Sequence, residues 1–301
     1  MQKENDAQEQ AKPSSRPLTN RGRWGADDDR GTLNFITAAV RARAVAEATT
    51  GHVVSLSHPL TPVPVAAPVP VAEHGMPAAV LQALTFSGSP TQALTDVLVI
   101  NVHHARSTHV DAPAHIPVDG TVYPGIPLSE ATAGATVSRS SSFAFVEGII
   151  TRGVFLDLAP GGRLVENHAV TAEDLSAAEE RQAVRVESGD ALVVRTGWTG
   201  ADDPFGPLPT TSLSAVEWMA DREVALYAGD TGDKLPQPTA APPVLHLVAL
   251  AQLGMPLIDC ANVTELARFC AATERCSFLF VLGTPPVGGA TGLPANPLAI
   301  F

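Results

Sequence analysis

Residues 103 to 115 read His-His-Ala-Arg-Ser-Thr-His-Val-Asp-Ala-Pro-Ala-His, placing four of the chain's nine histidines and one carboxylate within thirteen positions. Imidazole nitrogen and carboxylate oxygen together suit zinc, manganese or iron better than calcium or magnesium. His109 and Asp111 are two apart, so along an extended strand both project from one side, about 7 Å apart along the backbone, and both can reach one cation. His115 keeps that parity. Pro113 interrupts regular pairing and curls the segment, carrying the imidazole toward the metal as a third ligand or a catalytic base. The plainer use of these residue types is hydrogen bonding near a turn. Cys260, Cys270 and Cys276 have no CxxC spacing and read as buried small apolar residues, not thiolate ligands.

The elements that must hold this cluster read as strands and helices interleaved without a repeat. Short runs rich in Val, Ile, Leu or Phe predict strands at Val53 to Ser57, Leu98 to Val102, Gly148 to Thr151, Val154 to Leu156, Ala191 to Arg195, Ala225 to Ala228, Leu257 to Ile258 and Ser277 to Leu282. Helices fit Ala38 to Thr49, Ser214 to Arg222, Thr264 to Ala272 and Thr171 to Glu180, the last with Thr171 as N-cap and Asp174 at the third helical position. Leu247 to Leu253 is helical in composition, Gly254 suits its C-cap, and a short apolar run then ends in Asp259. Pro59 to Pro77 reads as a long loop that covers the site. The pattern is mixed α/β.

Composition bounds the function. With 301 residues and 45% hydrophobic content the chain can bury one large core or two smaller ones, and residues 22–301 are expected to form a single catalytic domain. Met1 to Arg21 is polar, lacks an apolar signal segment and reads as a disordered extension, which gives a cytoplasmic expectation. No run of eighteen apolar residues exists, so no membrane partner is expected. A net charge of −12 with only 19 scattered Lys and Arg argues against nucleic acid. The acidic field favours neutral or modestly charged small-molecule substrates. Phe278 to Phe301 carries no charge and must be buried, in the core or against another subunit.

The stretch Ser107-Thr-His-Val-Asp-Ala-Pro-Ala-His115 resembles the metal-dependent cyclase/amidohydrolase family that includes bacterial kynurenine formamidase, isatin hydrolase and trans-dienelactone hydrolase, with its pattern H-x-G-T-H-x-D-x-P-x-H. The pattern's glycine is Ser107 here, and its first histidine position is Ala105. A longer branch of about three hundred residues carries N-x-H-G-x-x-x-T-H-x-D-A, which puts that first histidine on His103 and leaves His104 where the branch has glycine. Trp24-Gly-Ala-Asp-Asp-Asp-Arg-Gly-Thr-Leu-Asn34 is similar to that branch's W-G-x-x-D-x-x-G-T-L-N, and Asp119 to Gly125 to its D-G-x-x-Y-x-G. Leu192 to Trp198, Gly229-Asp-Thr231 and the closing Gly288 to Phe301 match in the same order, so the resemblance covers most of residues 22 to 301.

The resemblance implies a swivelling β/β/α (cyclase-like) fold, a mixed sheet wrapped into a barrel-like core with helices outside. It also implies a divalent metal, Zn or Mn, held by His103, His109, Asp111, His246 and Asp259, where shorter members have Glu in place of Asp259. His115 would be the general base of a hydrolase acting on a small amide, ester or lactone. The alternatives it leaves open are a cyclase of polyketide-type secondary metabolism and an inactive ligand-binding homologue. A homodimer or higher homo-oligomer is expected on the same ground. Asp230 reads either as a loop-start hydrogen bonder or as a carboxylate facing ligands or substrate. Trp24 and Phe35 read as core packing or as a cover over the substrate, and Arg195 as the partner of a carboxylate in the chain or on a substrate.

Overall fold

The computed structural model describes residues 18–65, 78–199, 206–233 and 243–301. Its principal sheet strands are β1 (Val53–Ser55), β4 (His109–Asp111), β5 (Ile149–Asp157), β6 (Ala191–Arg195), β7 (Leu226–Gly229), β8 (Leu257–Asp259), β9 (Ser277–Leu282), β10 (Gly292–Pro294) and β11 (Leu298–Ile300). A separate hairpin pairs β2 (Val80–Ser87) with β3 (Ala93–Ile100). The nine strands run in the order β1-β11-β9-β5-β6-β7-β8-β4-β10. The central four, β5-β6-β7-β8, are parallel, and the strands on either side are antiparallel. The sheet curls into a half-barrel whose ends are β1 and β10, in keeping with the wrapped mixed sheet and outer helices that the resemblance implies.

Both faces of the central strands are buried, which explains their nearly continuous apolar sequence. Phe155, Val193, Ala228 and Ile258 meet Phe278, Phe280 and Phe301 in one core. Val154, Leu156, Leu192, Val194 and Leu257 face the outer helices in another. The uncharged carboxyl-terminal stretch is thus used in the core through β9 and β11. The outer helices include α2 (Ala172–Arg181) and α3 (Leu213–Asp221), and the inner core also receives α4 (Thr264–Thr273). Thr171 and Asp174 form a reciprocal capping box at the start of α2, the expected N-terminus. Cys260, Cys270 and Cys276 are buried and free, as expected.

Several local expectations are corrected. Gly148 to Thr151 and Val154 to Leu156 are one strand, because Arg152 and Gly153 stay in the ladder with β9. The helix expected over Ala38 to Thr49 is α1 (Ala38–Val45), and β1 stops at Ser55. Leu247 to Leu253 begins earlier, as a π-helical segment, Leu245–Leu250, in which the Ala251 N–H donates to the His246 carbonyl. The wider π turn follows from this i→i+5 bonding, which composition does not encode. β2 and β3 replace the single strand expected at Leu98 to Val102. In the Pro59 to Pro77 loop Val63–Pro64 pairs with β2, while 66–77 lies outside the described residues. Residues 1–17 of the expected extension also lie outside them. The remaining part is packed: Thr19 and Asn20 donate to the carbonyls of Gln252 and Leu253.

Those contacts belong to a junction that holds the π-helical segment. Asp28 accepts from the backbone N–H groups of Arg30 and Gly31, from Asn34 and from the Tyr123 hydroxyl at 2.8–3.2 Å. The Thr32 N–H donates to the Gly254 carbonyl at 3.1 Å. Gly31 and Gly254 touch backbone to backbone, both at positive φ, and a Cβ on Gly254 would run into the Tyr123 ring. Trp24 and Phe35 pack edge to face at 5.1 Å under Arg23, with Phe35 buried and Trp24 half-buried. Gly254→Ala should therefore lower unfolding free energy by about 2 kcal/mol or more, from overlap added to backbone strain. Gly51→Ala, at positive φ but in open space, should cost only about 1 kcal/mol. Urea unfolding of the two variants checks the difference.

Candidate metal centre

Strand parity places His109 and Asp111 on one face of β4, and the antiparallel register sets Asp259 of β8 directly opposite His109. Gly292 of β10 lies opposite Asp111, and a Cβ there would collide with the His103 ring. Glycine at this position makes room for the first histidine. His103 follows the end of β3 and brings Nδ1 to 2.7 Å from Asp111 Oδ1. His109 Nε2 lies 3.6 Å from the same oxygen. His246, on the π-helical segment, sets Nε2 3.3 Å from Asp111 Oδ2 and 3.6 Å from Asp259 Oδ2. All five side chains expected to hold the metal come together, and all five line one cleft.

Outer partners turn each ring the same way. His109 Nδ1 lies 2.7 Å from the Ser107 carbonyl, which can only accept, so Nδ1 carries the proton and Nε2 offers its lone pair inward. His246 Nδ1 faces Asp233 Oδ2 at 3.1 Å, and His103 Nε2 faces Thr291 Oγ1 at 3.0 Å. In the neutral tautomers that donate outward, His103 Nδ1 and His246 Nε2 are the nitrogens beside Asp111 left to ligate a cation. Such outer contacts fix tautomer and orientation in metal sites. Asp233 and Thr291 were missed from the sequence. Both sit within or beside quoted stretches, Asp233 two residues beyond Gly229-Asp-Thr231 and Thr291 within Gly288 to Phe301.

The donor set fits a divalent cation. Among the described residues, both Asp111 oxygens, His103 Nδ1 and Asp259 Oδ1 are buried with no hydrogen-bond partner outside the cluster itself, and Asp111 is wholly enclosed. Orphaned buried polar atoms are rare, and their gathering around Asp111 matches what a cation would satisfy, although Asp259 joins neither of the close groups of ligand-capable atoms found among the described residues. The ligand-capable atoms form two overlapping groups, His103 with His109 and Asp111, and Asp111 with His115 and His246, so Asp111 is common to both.

Burial works to raise the Asp111 pKa, but the facing His103 and His246 rings hold its carboxyl far below the usual range. Asp259 moves the other way, raised by burial and the Asp111 charge against the pull of His246. Burial opposes protonation of His246, yet Asp111 and Asp233 raise it well above the ordinary imidazole value. Burial pulls His115 down to about 4 against the attraction of Asp111.

His115 follows a turn closed by its own N–H to the Ala112 carbonyl, the curl expected at Pro113. Its ring stacks on His103 with centroids 3.7 Å apart and stands 6.0 Å from His246. His104 is buried, and its Nδ1 accepts from the Arg106 N–H. Asp230 accepts from the Thr196 N–H and hydroxyl and from the Gly197 N–H, tying the ends of β6 and β7, and it also lines the cleft. Arg195 is taken up by Asp157 and by the Ala159 and Gly162 carbonyls. The cleft measures about 130 Å3, the scale of a small substrate.

A family model described as "Putative cyclase" matches residues 54–233, more than half of the sequence, and the chain belongs to this cyclase family. His246 and Asp259 lie beyond the matched span. No curated protein matches the sequence. Among solved structures, one described as a novel cyclase is 26% identical, with 95% of this chain and 99% of that chain covered and a TM-score of 0.79. Isatin hydrolase A from Labrenzia aggregata bound to benzyl benzoate is 18% identical, with 89% and 98% covered and a TM-score of 0.60. A "predicted metal-dependent hydrolase from Bacillus stearothermophilus" is 15% identical, with 83% and 98% covered and a TM-score of 0.53. The latter two likenesses are of fold.

Two outcomes follow for the centre. Asp233→Ala should keep the fold but weaken zinc or manganese affinity about 10- to 100-fold, read by chelator competition, because His246 loses the acceptor that orients it. Affinity of the parent should fall as pH drops from about 8 to about 5, since a cation competes with protons on His246 and Asp259, whose pKa values are both raised. Isothermal titration at several pH values checks the sign: binding should release protons.

Proposed function

We propose that the protein is a divalent-metal-dependent hydrolase of a small amide, ester or lactone, with Zn or Mn held by His103, His109, Asp111, His246 and Asp259. The observation carrying this reading is the gathering of His103, His109 and His246 ring nitrogens around the enclosed Asp111 carboxylate, with Asp259 beside them. When bound, the cation supplies Lewis acidity that polarises a carbonyl and acidifies water. The residues around it do the positioning and the proton transfer. Asp111 anchors both groups of ligand atoms, and Asp233, Thr291 and the Ser107 carbonyl hold the rings in orientation. His115, kept neutral by burial, is the base that takes a proton from water and returns it to the leaving nitrogen or oxygen. Its ring lines the cleft while stacked on His103.

Family membership supports an enzyme of this class. The isatin hydrolases among the structural neighbours support the substrate class, because isatin contains a cyclic amide. Cyclisation is the second reading, favoured by the cyclase description of the family and of the 26% identical structure. In that case the same centre would polarise a ketone, and His115 would remove an α proton.

Elemental analysis of purified protein should find about one or two equivalents of zinc or manganese, lost in His109→Ala. Asp111→Ala should lose both metal and turnover. His115→Ala should keep its metal and lose turnover by about 10²- to 10⁴-fold; loss of one metal equivalent instead would make His115 a ligand. Product mass separates the reactions, since hydrolysis adds one water and a rearranging cyclisation adds nothing.

A further inference from the structure

Two of the three cysteines form a pair that the metal centre does not use. Cys270 lies in the last turn of α4, and Cys276 stands one residue before β9. Between them Glu274 ends the helix in the left-handed region, at φ 54°, and the chain doubles back. The two thiols meet in a hydrogen bond within the inner core. Gln182, just past the end of α2, holds Cys276 from another direction: its Nε2 donates to the Cys276 sulfur at 3.0 Å, and its Oε1 accepts from the Asp157 N–H. The Cys276 carbonyl accepts from the Phe155 N–H at 2.8 Å, so backbone and sulfur are both fixed.

A cysteine that only fills a core needs no donors aimed at its sulfur, whereas donors stabilise a thiolate, the reactive form. The Cys270 thiol and the Gln182 amide hold the Cys276 thiol below its ordinary range against the effect of burial. Cys270 is pushed the other way, by its bond to Cys276 and by burial. One sulfur of the pair is therefore readied to ionise while the other keeps its proton. Cys276 also retains 9% of its surface and Cys270 only 3%, so a small reagent meets Cys276 first.

We propose that Cys270 and Cys276 are a modification site, a dithiol that a hydroperoxide converts to a disulfide. The Cys276 thiolate attacks one peroxide oxygen, the O–O bond breaks and hydroxide or alkoxide leaves. Two electrons pass from sulfur to peroxide, and Cys276 becomes a sulfenic acid. The Cys270 sulfur then attacks the Cys276 sulfur: the S–S bond forms, the S–O bond breaks, and the hydroxyl leaves as water with the Cys270 proton. A small thiol restores both cysteines by exchange, itself becoming the disulfide. Cys260 takes no part, since it lines the metal cleft and its thiol donates to the Ala105 carbonyl. The bond would tether the end of α4 to β9. Thr264, Ala267, Arg268 and Ala271 of that helix line a second cleft, of about 500 Å3, which shares Thr199 and Asp230 with the metal cleft, so oxidation stiffens a wall beside the centre.

Trypsin cuts after Arg275, between the two residues, and the three cysteines fall in the separate peptides 235–268, 269–275 and 276–301. The test is to treat the folded, zinc-loaded protein with a few equivalents of hydrogen peroxide, block free thiols in urea, digest and weigh the peptides. Peptides 269–275 and 276–301 should appear joined, with two hydrogens lost, and 235–268 should stay blocked as a free thiol. Dithiothreitol should separate the pair. Cys270→Ser should stop at a Cys276 sulfenic acid that dimedone traps, and Cys276→Ser should leave Cys270 reduced. Two free thiols after treatment, a link to Cys260, or Cys276 carried to the sulfinic acid without the link each overturn the proposal. If either variant does not fold, the digest of the parent decides alone. None of these readouts depends on turnover, so failure here is distinct from failure of the proposed hydrolysis.

Discussion

Asp111 carries a carboxylate into the middle of a sheet with none of its surface left to water, and much of the architecture answers that one constraint. A buried charge is tolerated only when opposite charge or well-aimed polar groups surround it. Here three histidines approach its two oxygens, and Asp259 adds a second carboxylate to the same space. Two carboxylates facing only imidazole rings, with no other partner for the Asp111 oxygens among the described residues, make an arrangement that a cation completes. Asp111 is common to both groups of ligand-capable atoms, so the rest of the centre is built around it.

Rigidity around that charge comes from segments far apart in sequence. β4 lies between β8 and β10, so one strand register places His109, Asp111, Asp259 and the space beside Gly292 together. His246 arrives from outside the sheet, and its position depends on where the π-helical segment ends. That end is clamped by Gly31, Thr32 and Tyr123, which are themselves organised by Asp28. The amino-terminal motif thus acts at a distance. It makes no contact with the cleft, yet it holds the base of the segment that delivers one histidine.

The apolar residues divide along similar lines. The half-barrel takes its share on both faces, including the uncharged carboxyl terminus, and this leaves the β2–β3 hairpin with apolar side chains that nothing among the described residues encloses.

Local spacing was enough to read part of this. The two-residue interval between His109 and Asp111 sets their common face in any strand, the capping box at Thr171 is a local hydrogen-bond pattern, and Pro113 turns the chain wherever it stands. Those features depend on backbone geometry within a few residues, so they are legible without a fold. His103, His246 and Asp259 were reached only through the family resemblance, because nothing within a few residues of each marks it as a ligand. Asp233 and Thr291 escaped altogether, since an acceptor behind a ring is recognised by where the ring points. The hairpin escaped for a related reason: its strands bury little, so they lack the contrast between faces that marks a half-buried strand. The sequence by itself determined strand parity, caps, the mixed α/β pattern and the chemistry of the donor set. Tertiary structure decided which distant side chains share that chemistry, because register and packing between remote segments, and not spacing along the chain, bring their atoms to one point.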